Sequence, residues 1–209
     1  MKKLLLPALI CCGLSYAAFG GPIEDANAKY NAGDFASAKV MYENACKSGI
    51  MRGCFSLGAL YENGEGVRQD YTRARELYEK SCDAGVQIAC VNLGYMYANH
   101  EGVKEDFAKA VSLYKKACDE GENLGCFNLG DLYAKGYGVP RDYAKANELY
   151  KKTCKEGLAI GCLYLGTAFY EGQGMTKDVK VAKEYFGKAC DLGDQDGCDN
   201  YKNLNEQGI

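Results

Sequence analysis

The sequence has 209 residues, of which 25 are basic, 28 are acidic and 12 are cysteine. A chain with more acidic than basic side chains is a poor match for nucleic acid, because phosphate backbones attract basic surfaces. No Pro-rich or Ser-rich linker divides the sequence, which favours one continuous folded unit.

Residues 1–20 have the form of a secretory signal peptide. Lys2 and Lys3 precede an apolar run of about sixteen residues, and small residues follow, so we expect cleavage after Ala18 or Gly20. The run is shorter than the roughly twenty residues that span a membrane. A lipid anchor at a cysteine of this segment is a weaker alternative, because a bulky isoleucine stands where lipoprotein signals carry a small residue. Cleavage would remove two of the cysteines.

The remaining cysteines form pairs with seven residues between the two members, and the pairs recur every 36 residues. In a continuous helix the two Cα atoms would lie about 12 Å apart, whereas a disulfide needs about 4.4 to 6.8 Å. A glycine three residues after the first cysteine, such as Gly49, tolerates the left-handed conformation that commonly ends helices. The thiols are therefore either separate or brought together by a chain reversal, and the glycine favours the reversal.

An even set of cysteines in an exported chain is typical of a disulfide framework. Zinc binding is the alternative, but zinc knuckles place about two to four residues between ligands, and the thiolates would meet an oxidising environment. We therefore predict disulfides and neither a metal nor any other cofactor.

The 36-residue repeat predicts a helical hairpin in each unit. In the first full unit, Leu57, Gly58 and Tyr61 recur at helical spacing in one segment, helix A, and Ala74 and Tyr78 in the next, helix B. A single hairpin cannot bury its apolar face, whereas stacked hairpins can, which predicts a solenoid.

An aspartate precedes helix B in every unit. Its carboxylate can accept hydrogen bonds from unpaired backbone N–H groups and oppose the helix dipole. Catalysis or calcium binding is the alternative, but capping accounts for each aspartate singly. These residues are Asp34, Asp70, Asp106, Asp142 and Asp178.

The string LGALYENGEGV at 57–67, which returns as LGDLYAKGYGV at 129–139, resembles the Sel-one-like repeat, a relative of the tetratricopeptide repeat. The cysteine pair at each junction resembles the secreted Helicobacter cysteine-rich proteins, and the match covers about residues 24–204. The resemblance implies an all-α, right-handed superhelical solenoid of helix-turn-helix repeats stapled by disulfides. We expect a signal peptide at 1–20, a single solenoid at 21–204 and a short tail at 205–209. The solenoid would hold one tetratricopeptide-like unit, four 36-residue units and a terminal capping helix.

The resemblance also implies how the cysteines pair. Each bridge would tie the end of helix B in one unit to the start of helix A in the next, which would stiffen the angle between units. The implied pairs are Cys46 with Cys54, Cys82 with Cys90, Cys118 with Cys126, Cys154 with Cys162, and Cys190 with Cys198.

The family is commonly labelled with penicillin binding and slow β-lactamase activity, which would require a catalytic serine. One S-x-x-K string runs from Ser112 to Lys115, but KTG and SDN strings are absent, and the serine column is glutamate in the other full units. His100 stands where the other full units have glycine, so we expect a loop residue at positive φ rather than a general base acting with Glu101. No catalytic motif is recognised, and Ser112 with Lys115 is the one serine candidate.

Two variable columns on helix A, three residues apart, mark a surface that the scaffold is free to use for binding. In tetratricopeptide relatives the corresponding face lines a concave groove, where asparagines hold the main chain of an extended peptide. Asn92 and Asn128 resemble such residues, and Tyr95 and Tyr164 would add apolar contact, although ordinary solvent-facing polar residues are the alternative. The predicted ligand residues are Ser56, Asn92, Tyr95, Asn128, Asp131, Tyr164 and Thr167.

We therefore predict a secreted or periplasmic scaffold, monomeric and without a membrane span, that binds a peptide, a peptidoglycan-like ligand or a protein partner. Penicillin binding is implied by the family label. The alternative function is slow hydrolysis of β-lactam rings.

Overall fold

The computed structural model describes residues 21–209; the predicted signal peptide, its cleavage site and its two cysteines lie outside this part of the chain. Within it the secondary structure consists of α-helices, without strands. The helices are α1 (Pro22–Asn31), α2 (Phe35–Lys47), α3 (Met51–Asn63), α4 (Tyr71–Asp83), α5 (Gln87–Ala98), α6 (Phe107–Asp119), α7 (Asn123–Lys135), α8 (Tyr143–Lys155), α9 (Ala159–Glu171), α10 (Val179–Asp191) and α11 (Gln195–Glu206).

Each helix packs against the next helix along the chain. The odd-numbered helices are the A helices and the even-numbered ones up to α10 are the B helices, so α1 with α2 is the first hairpin. The A helices α5 and α7 of neighbouring units also contact each other. This order of neighbour contacts confirms the predicted all-α solenoid.

The aspartate column caps the B helices. Asp70 and Asp106 each accept a hydrogen bond from the backbone N–H three residues later, at 3.0 and 2.9 Å. Asp34, Asp142 and Asp178 make the same contact at the start of their helices. The capping interpretation is confirmed in all five units.

The A helices end at a residue in the left-handed region. Gly64, Gly136 and Gly172 lie there with φ of 74°, 75° and 76°. His100 takes this place after α5 with φ of 64°, as expected from its column. Its exposed imidazole Nδ1 lies 3.2 Å from the Val103 carbonyl oxygen.

Large rings of the B helices pack against glycines of the A helices. A Cβ atom on Gly94 would lie 2.7 Å from the Tyr114 ring, and one on Gly130 would lie 2.9 Å from the Tyr150 ring. Since real Cβ contacts are never this short, only glycine lets the two helices approach so closely. Gly58 and Gly166 repeat the arrangement against Tyr78 and Phe186.

The five implied disulfides are all present, with Cα atoms 4.4 to 4.7 Å apart. The chain reverses between the two cysteines of each pair. At the first junction Gly49 adopts φ of 85°, and the Ile50 N–H donates to the Ala45 carbonyl at 2.9 Å. The same reversal therefore provides a donor for a carbonyl at the end of the helix and brings the two thiols together.

No helix among residues 21–209 has the length and apolar composition to cross a membrane. The terminal helix α11 ends at Glu206, two residues beyond the expected boundary at 204. Its side chain Leu204 is only 3% exposed, and the Ile209 N–H donates to the Leu204 carbonyl at 3.1 Å. The last residues therefore close the helix and leave little free tail.

Candidate ligand groove

The predicted ligand residues lie on one face of α3, α5, α7 and α9. We call this face, together with its continuation on α11, the groove. The 36-residue period places Asn200 in the column of Asn128 and Tyr164, and Asn203 in the column of Asp131 and Thr167. Both asparagines line clefts with the predicted residues. Neither asparagine is among the predicted ligand residues, because the loop and helix B patterns that define a repeat are missing after α11.

The structure brings Tyr95, Asn128 and Asp131 together in a cleft of about 300 Å³ between α5 and α7. The Tyr114 side chain also lines it, although this residue is 97% buried (3% exposed). Lys135, which follows Asp131 by one helical turn, pairs with the Asp131 carboxylate at 2.8 Å. This junction cleft therefore combines aromatic, amide and charged groups.

A second part of the groove lies between α9 and α11. Tyr164 and Thr167 line a cleft of about 530 Å³ with Asp196, Asp199 and Asn200. An adjoining cleft of about 290 Å³ contains Thr167, Asn200 and Asn203. The groove thus continues to the C-terminal helix, one unit further than predicted.

In the N-terminal part of the groove the predicted residues lie beside tyrosines of the B helices that have hydrogen-bond partners within the chain. The Tyr78 hydroxyl donates to the Glu62 carboxylate, and the Asn92 amide lies beside it. Ser56 lies beside the Tyr42 hydroxyl, which donates to Asn27 Oδ1 at 2.6 Å. Neither Ser56 nor Asn92 lines the clefts described above, and both are partly exposed beside a buried tyrosine.

Two tyrosines of the B helices, Tyr114 and Tyr150, have a raised pKa. Burial is the main cause that raises the pKa of Tyr114, and Tyr95 and Asp131 raise it further. Burial likewise raises the pKa of Tyr150, with Asp131 and Tyr164 as further causes. Both hydroxyl groups therefore remain hydrogen-bond donors at any physiological pH.

Exposed tyrosines line the groove. Tyr95 is 47% exposed on α5, and Tyr164 and Tyr170 are 38% and 41% exposed on α9. Tyr137, in the loop after α7, is 47% exposed and packs on Phe107 with ring centroids 4.8 Å apart. Tyr137 could not be found from helix columns, since its position is glutamate or glutamine in the other full units.

The serine candidate is not assembled as a catalytic pair. Ser112 is exposed on α6, and its hydroxyl donates to the Lys109 carbonyl at 2.7 Å. Lys115 instead pairs with Asp119 at 2.5 Å, and this contact raises the pKa of the ammonium group. A serine whose proton is held by a backbone carbonyl has no adjacent base to activate it.

His100 and Glu101 also lie without a nucleophile between them. Burial raises the pKa of Glu101, and the Glu62 carboxylate adds to the effect. Among residues 21–209 no group of three or more His, Cys, Asp or Glu side chains is arranged to hold a metal ion. In the groove, by contrast, polar and aromatic side chains line common clefts.

The fold and the groove define a class of protein: an α-solenoid scaffold of helical hairpins joined by disulfides. The Sel1 repeat family model matches residues 52–86, 87–122, 123–158 and 159–194, which together make up more than half of the chain. The protein belongs to the Sel1 repeat family.

The chain also resembles solved Sel1-like repeat structures. It is similar to c5321, a protective antigen of uropathogenic Escherichia coli with an SLR fold, at 32% identity and a TM-score of 0.82 over 90% of this chain and 41% of that one. A Sel1 repeat protein from Oxalobacter formigenes matches with 28% identity and a TM-score of 0.79, over 84% of this chain and 71% of that one.

Two of the similar proteins come from Helicobacter pylori. Its cysteine rich protein B matches at 34% identity over 62% of this chain and 93% of that one, with a TM-score of 0.50. The protein named "Putative beta-lactamase HcpE" is 42% identical over 41 residues, which are 20% of this chain and 12% of HcpE. The chain therefore matches only a small part of HcpE.

Proposed function

We propose that this protein is an exported scaffold that binds an extended peptide in the groove from α5 to α11. The observation that carries the proposal is a pair of asparagines. Within residues 21–209, the Asn128 and Asn200 amides make no side-chain hydrogen bond, and each lines a cleft. An amide that both donates and accepts suits the main chain of a peptide.

The exposed tyrosines support the same function. Tyr95, Tyr137 and Tyr164 offer large, rigid rings at a small cost in conformational entropy, a composition typical of protein-binding surfaces. A scaffold whose units are cross-linked holds such residues at fixed spacing, so that little ordering is needed when the peptide binds.

The disulfides support the proposed compartment. Five bridges persist where the surroundings are oxidising, as in the periplasm or outside the cell. A peptide ligand in that compartment includes the peptides of the cell wall, and a partner protein with an extended segment would bind in the same manner.

Selection from a displayed heptapeptide library tests the scaffold function. Peptides selected on the disulfide-intact protein are expected to bind the double variant Asn128→Ala, Asn200→Ala at least about tenfold more weakly, because two amide contacts are lost. The matched control is Asn44→Ala, which removes an exposed asparagine of α2. Equal affinities for the double variant and the control would contradict binding in the groove.

A β-lactam ligand is the second candidate, supported by the name of HcpE and by the likeness of β-lactams to cell-wall peptides. The groove would then bind penicillin without a serine ester. Labelled penicillin and a chromogenic cephalosporin distinguish the outcomes: retention that disappears in the double asparagine variant supports the groove, and turnover that disappears in Ser112→Ala supports a hydrolase.

A further inference from the structure

The cleft between α5 and α7 has features that select one kind of peptide side chain. Tyr95 and Tyr137 line it, and Tyr137 is held in place by Phe107. Aromatic faces carry a negative quadrupole that attracts cations, and guanidinium groups stack on them most readily.

An acidic group lies in the same cleft and has a free oxygen atom. Asp131 is bound to Lys135 through Oδ2 alone, at 2.8 Å. Within the described residues, Asp131 Oδ1 makes no hydrogen bond and can accept one from a ligand. The pair therefore holds the carboxylate in place and leaves one acceptor for a donor that enters from solvent.

A hydroxyl without a partner, on a tyrosine whose ring is buried, is the second, independent observation. Tyr114 is 97% buried (3% exposed) and lines the cleft, and among residues 21–209 its hydroxyl has no hydrogen-bond partner. The equivalent Tyr78 donates to Glu62, but Ala98 occupies the position of Glu62 in the next unit. The Tyr114 hydroxyl is thus available to a ligand in the cleft, whereas the equivalent Tyr78 hydroxyl is already bound to Glu62.

The charged side chains along the groove indicate which charge the ligand should carry. Glu62 and Glu101 lie on the N-terminal side of the cleft, and Asp196 and Asp199 line the groove on its C-terminal side. Lys135 opposes them but is already paired with Asp131. Among these groups the carboxylates outnumber the lysine, and this excess of acidic groups along the groove favours a cationic partner.

We propose that the cleft between α5 and α7 binds an arginine side chain of the peptide ligand, with the guanidinium against Tyr95 and Tyr137 and donating to Asp131 Oδ1. Asn128 and the Tyr114 hydroxyl complete the set of polar contacts. This proposal rests on the peptide-binding function proposed above and names the side chain that the peptide carries.

Nuclear magnetic resonance titration of the ¹⁵N-labelled, disulfide-intact chain tests the proposal. The probe is the peptide acetyl-Gly-Gly-Arg-Gly-Gly-amide, and the comparison peptide carries citrulline, which has the shape of arginine without its charge. The arginine peptide is expected to shift the amide signals of Asn128, Asp131 and Tyr137 and to bind at least about tenfold more tightly than the citrulline peptide.

Two variants connect this preference to the cleft. Asp131→Asn is expected to reduce the ratio of the two affinities to less than about twofold, since the charged acceptor is lost. Asp119→Asn is the matched control, because Asp119 also pairs with a lysine one helical turn away, Lys115, but lies outside the cleft. Tyr114→Phe is expected to weaken arginine binding about threefold or more, without disturbing the fold, because Phe186 occupies the equivalent position in the last unit.

The proposal is overturned if the arginine and citrulline peptides bind equally, or if the shifted signals lie outside the cleft. Library peptides that depend on Asn128 and Asn200 but show no preference for arginine would keep the scaffold function and remove this inference alone. Absence of binding in both assays would remove both proposals.

Discussion

The tyrosines of helix B connect the packing of the core to the chemistry of the groove. Tyr114 and Tyr150 bury their rings against Gly94 and Gly130, and their hydroxyl groups lie near Asp131. In the last unit Phe186 fills the same space against Gly166 without a hydroxyl. The ring therefore serves stability, and the hydroxyl is free to serve binding.

Replacement of Tyr150 by phenylalanine is expected to change the alkaline stability of the protein. The folded pKa of Tyr150 is raised above its unfolded value near 10, so the folded state keeps its proton after the unfolded state has lost it. The stabilising contribution is fully present below about pH 10 and is lost as pH rises further. One such group contributes about 1.4 kcal/mol per pH unit to the slope.

Urea unfolding between pH 9 and 11 measures this slope. The free energy of unfolding of the wild-type protein should fall more steeply with pH than that of Tyr150→Phe. Tyr170→Phe is the control, because it removes the hydroxyl of a tyrosine that is 41% exposed. Parallel curves for the wild type and Tyr150→Phe would show that Tyr150 ionises freely in the folded protein.

The repeat pattern predicts the role of a residue only where the geometry of a single helix determines that role. The positive φ of His100 and the role of Asp106 as a cap follow from spacing alone. Tyr137 and Tyr114 reach the cleft from a loop and from helix B, so their place in the site depends on how units pack. The contacts of the Tyr78 hydroxyl with Asn92 and Glu62 also depend on how the helices pack. In the sequence Glu62 looks like any other polar residue near a helix end.

At the level of the helix, side chains bind the N-terminal end of every B helix and the C-terminal end of two of them. Each begins at an aspartate cap, and the C-terminal ends of two receive a lysine from the next unit. Lys116 Nζ donates to the Cys82 carbonyl at 3.0 Å, and Lys152 Nζ donates to the Cys118 carbonyl at 3.2 Å. These contacts satisfy terminal carbonyls and oppose the helix dipole.

Loss of one cap should destabilise the protein measurably. Asp106→Ala removes the acceptor for the Lys109 N–H and is expected to lower the free energy of unfolding by about 1 kcal/mol. Asp106→Asn keeps an oxygen acceptor and should recover most of the loss. Chemical denaturation measures both values, and an unchanged stability in Asp106→Ala would mean that solvent replaces the cap at no cost.

At the level of the whole molecule, each unit is stabilised mainly by its contacts with the units next to it. Among residues 21–209 the main helix contacts join neighbours along the chain, so the opening of one junction is expected to weaken the connection between the units on its two sides. Helix periodicity predicted this arrangement, and the family resemblance supplied the local pairing of the cysteines. The length of the groove was underestimated, because α11 lacks the loop and helix B that define a repeat even though Asn200 keeps the period.

The position of a disulfide along the solenoid should therefore determine the effect of its removal. Replacing both cysteines of one bridge by alanine is expected to lower the free energy of unfolding by about 2 to 3 kcal/mol, because the unfolded chain is then less restricted. Cys118 and Cys126 are buried, at 4% and 0% exposure, in the junction between the second and third Sel1 repeats. Their removal weakens the connection between two halves of the stack, so calorimetry should show a broadened or divided unfolding transition.

The terminal bridge provides the comparison. Cys190 and Cys198 are both partly exposed and join only α11 to the last hairpin. Their replacement should leave the main transition sharp and increase hydrogen exchange in α11 alone, because the remaining units keep their neighbours. A single sharp transition at lower temperature in both double variants would instead mean that the stack unfolds as one cooperative unit, with its stiffness set by packing at the glycine and tyrosine columns rather than by the bridges.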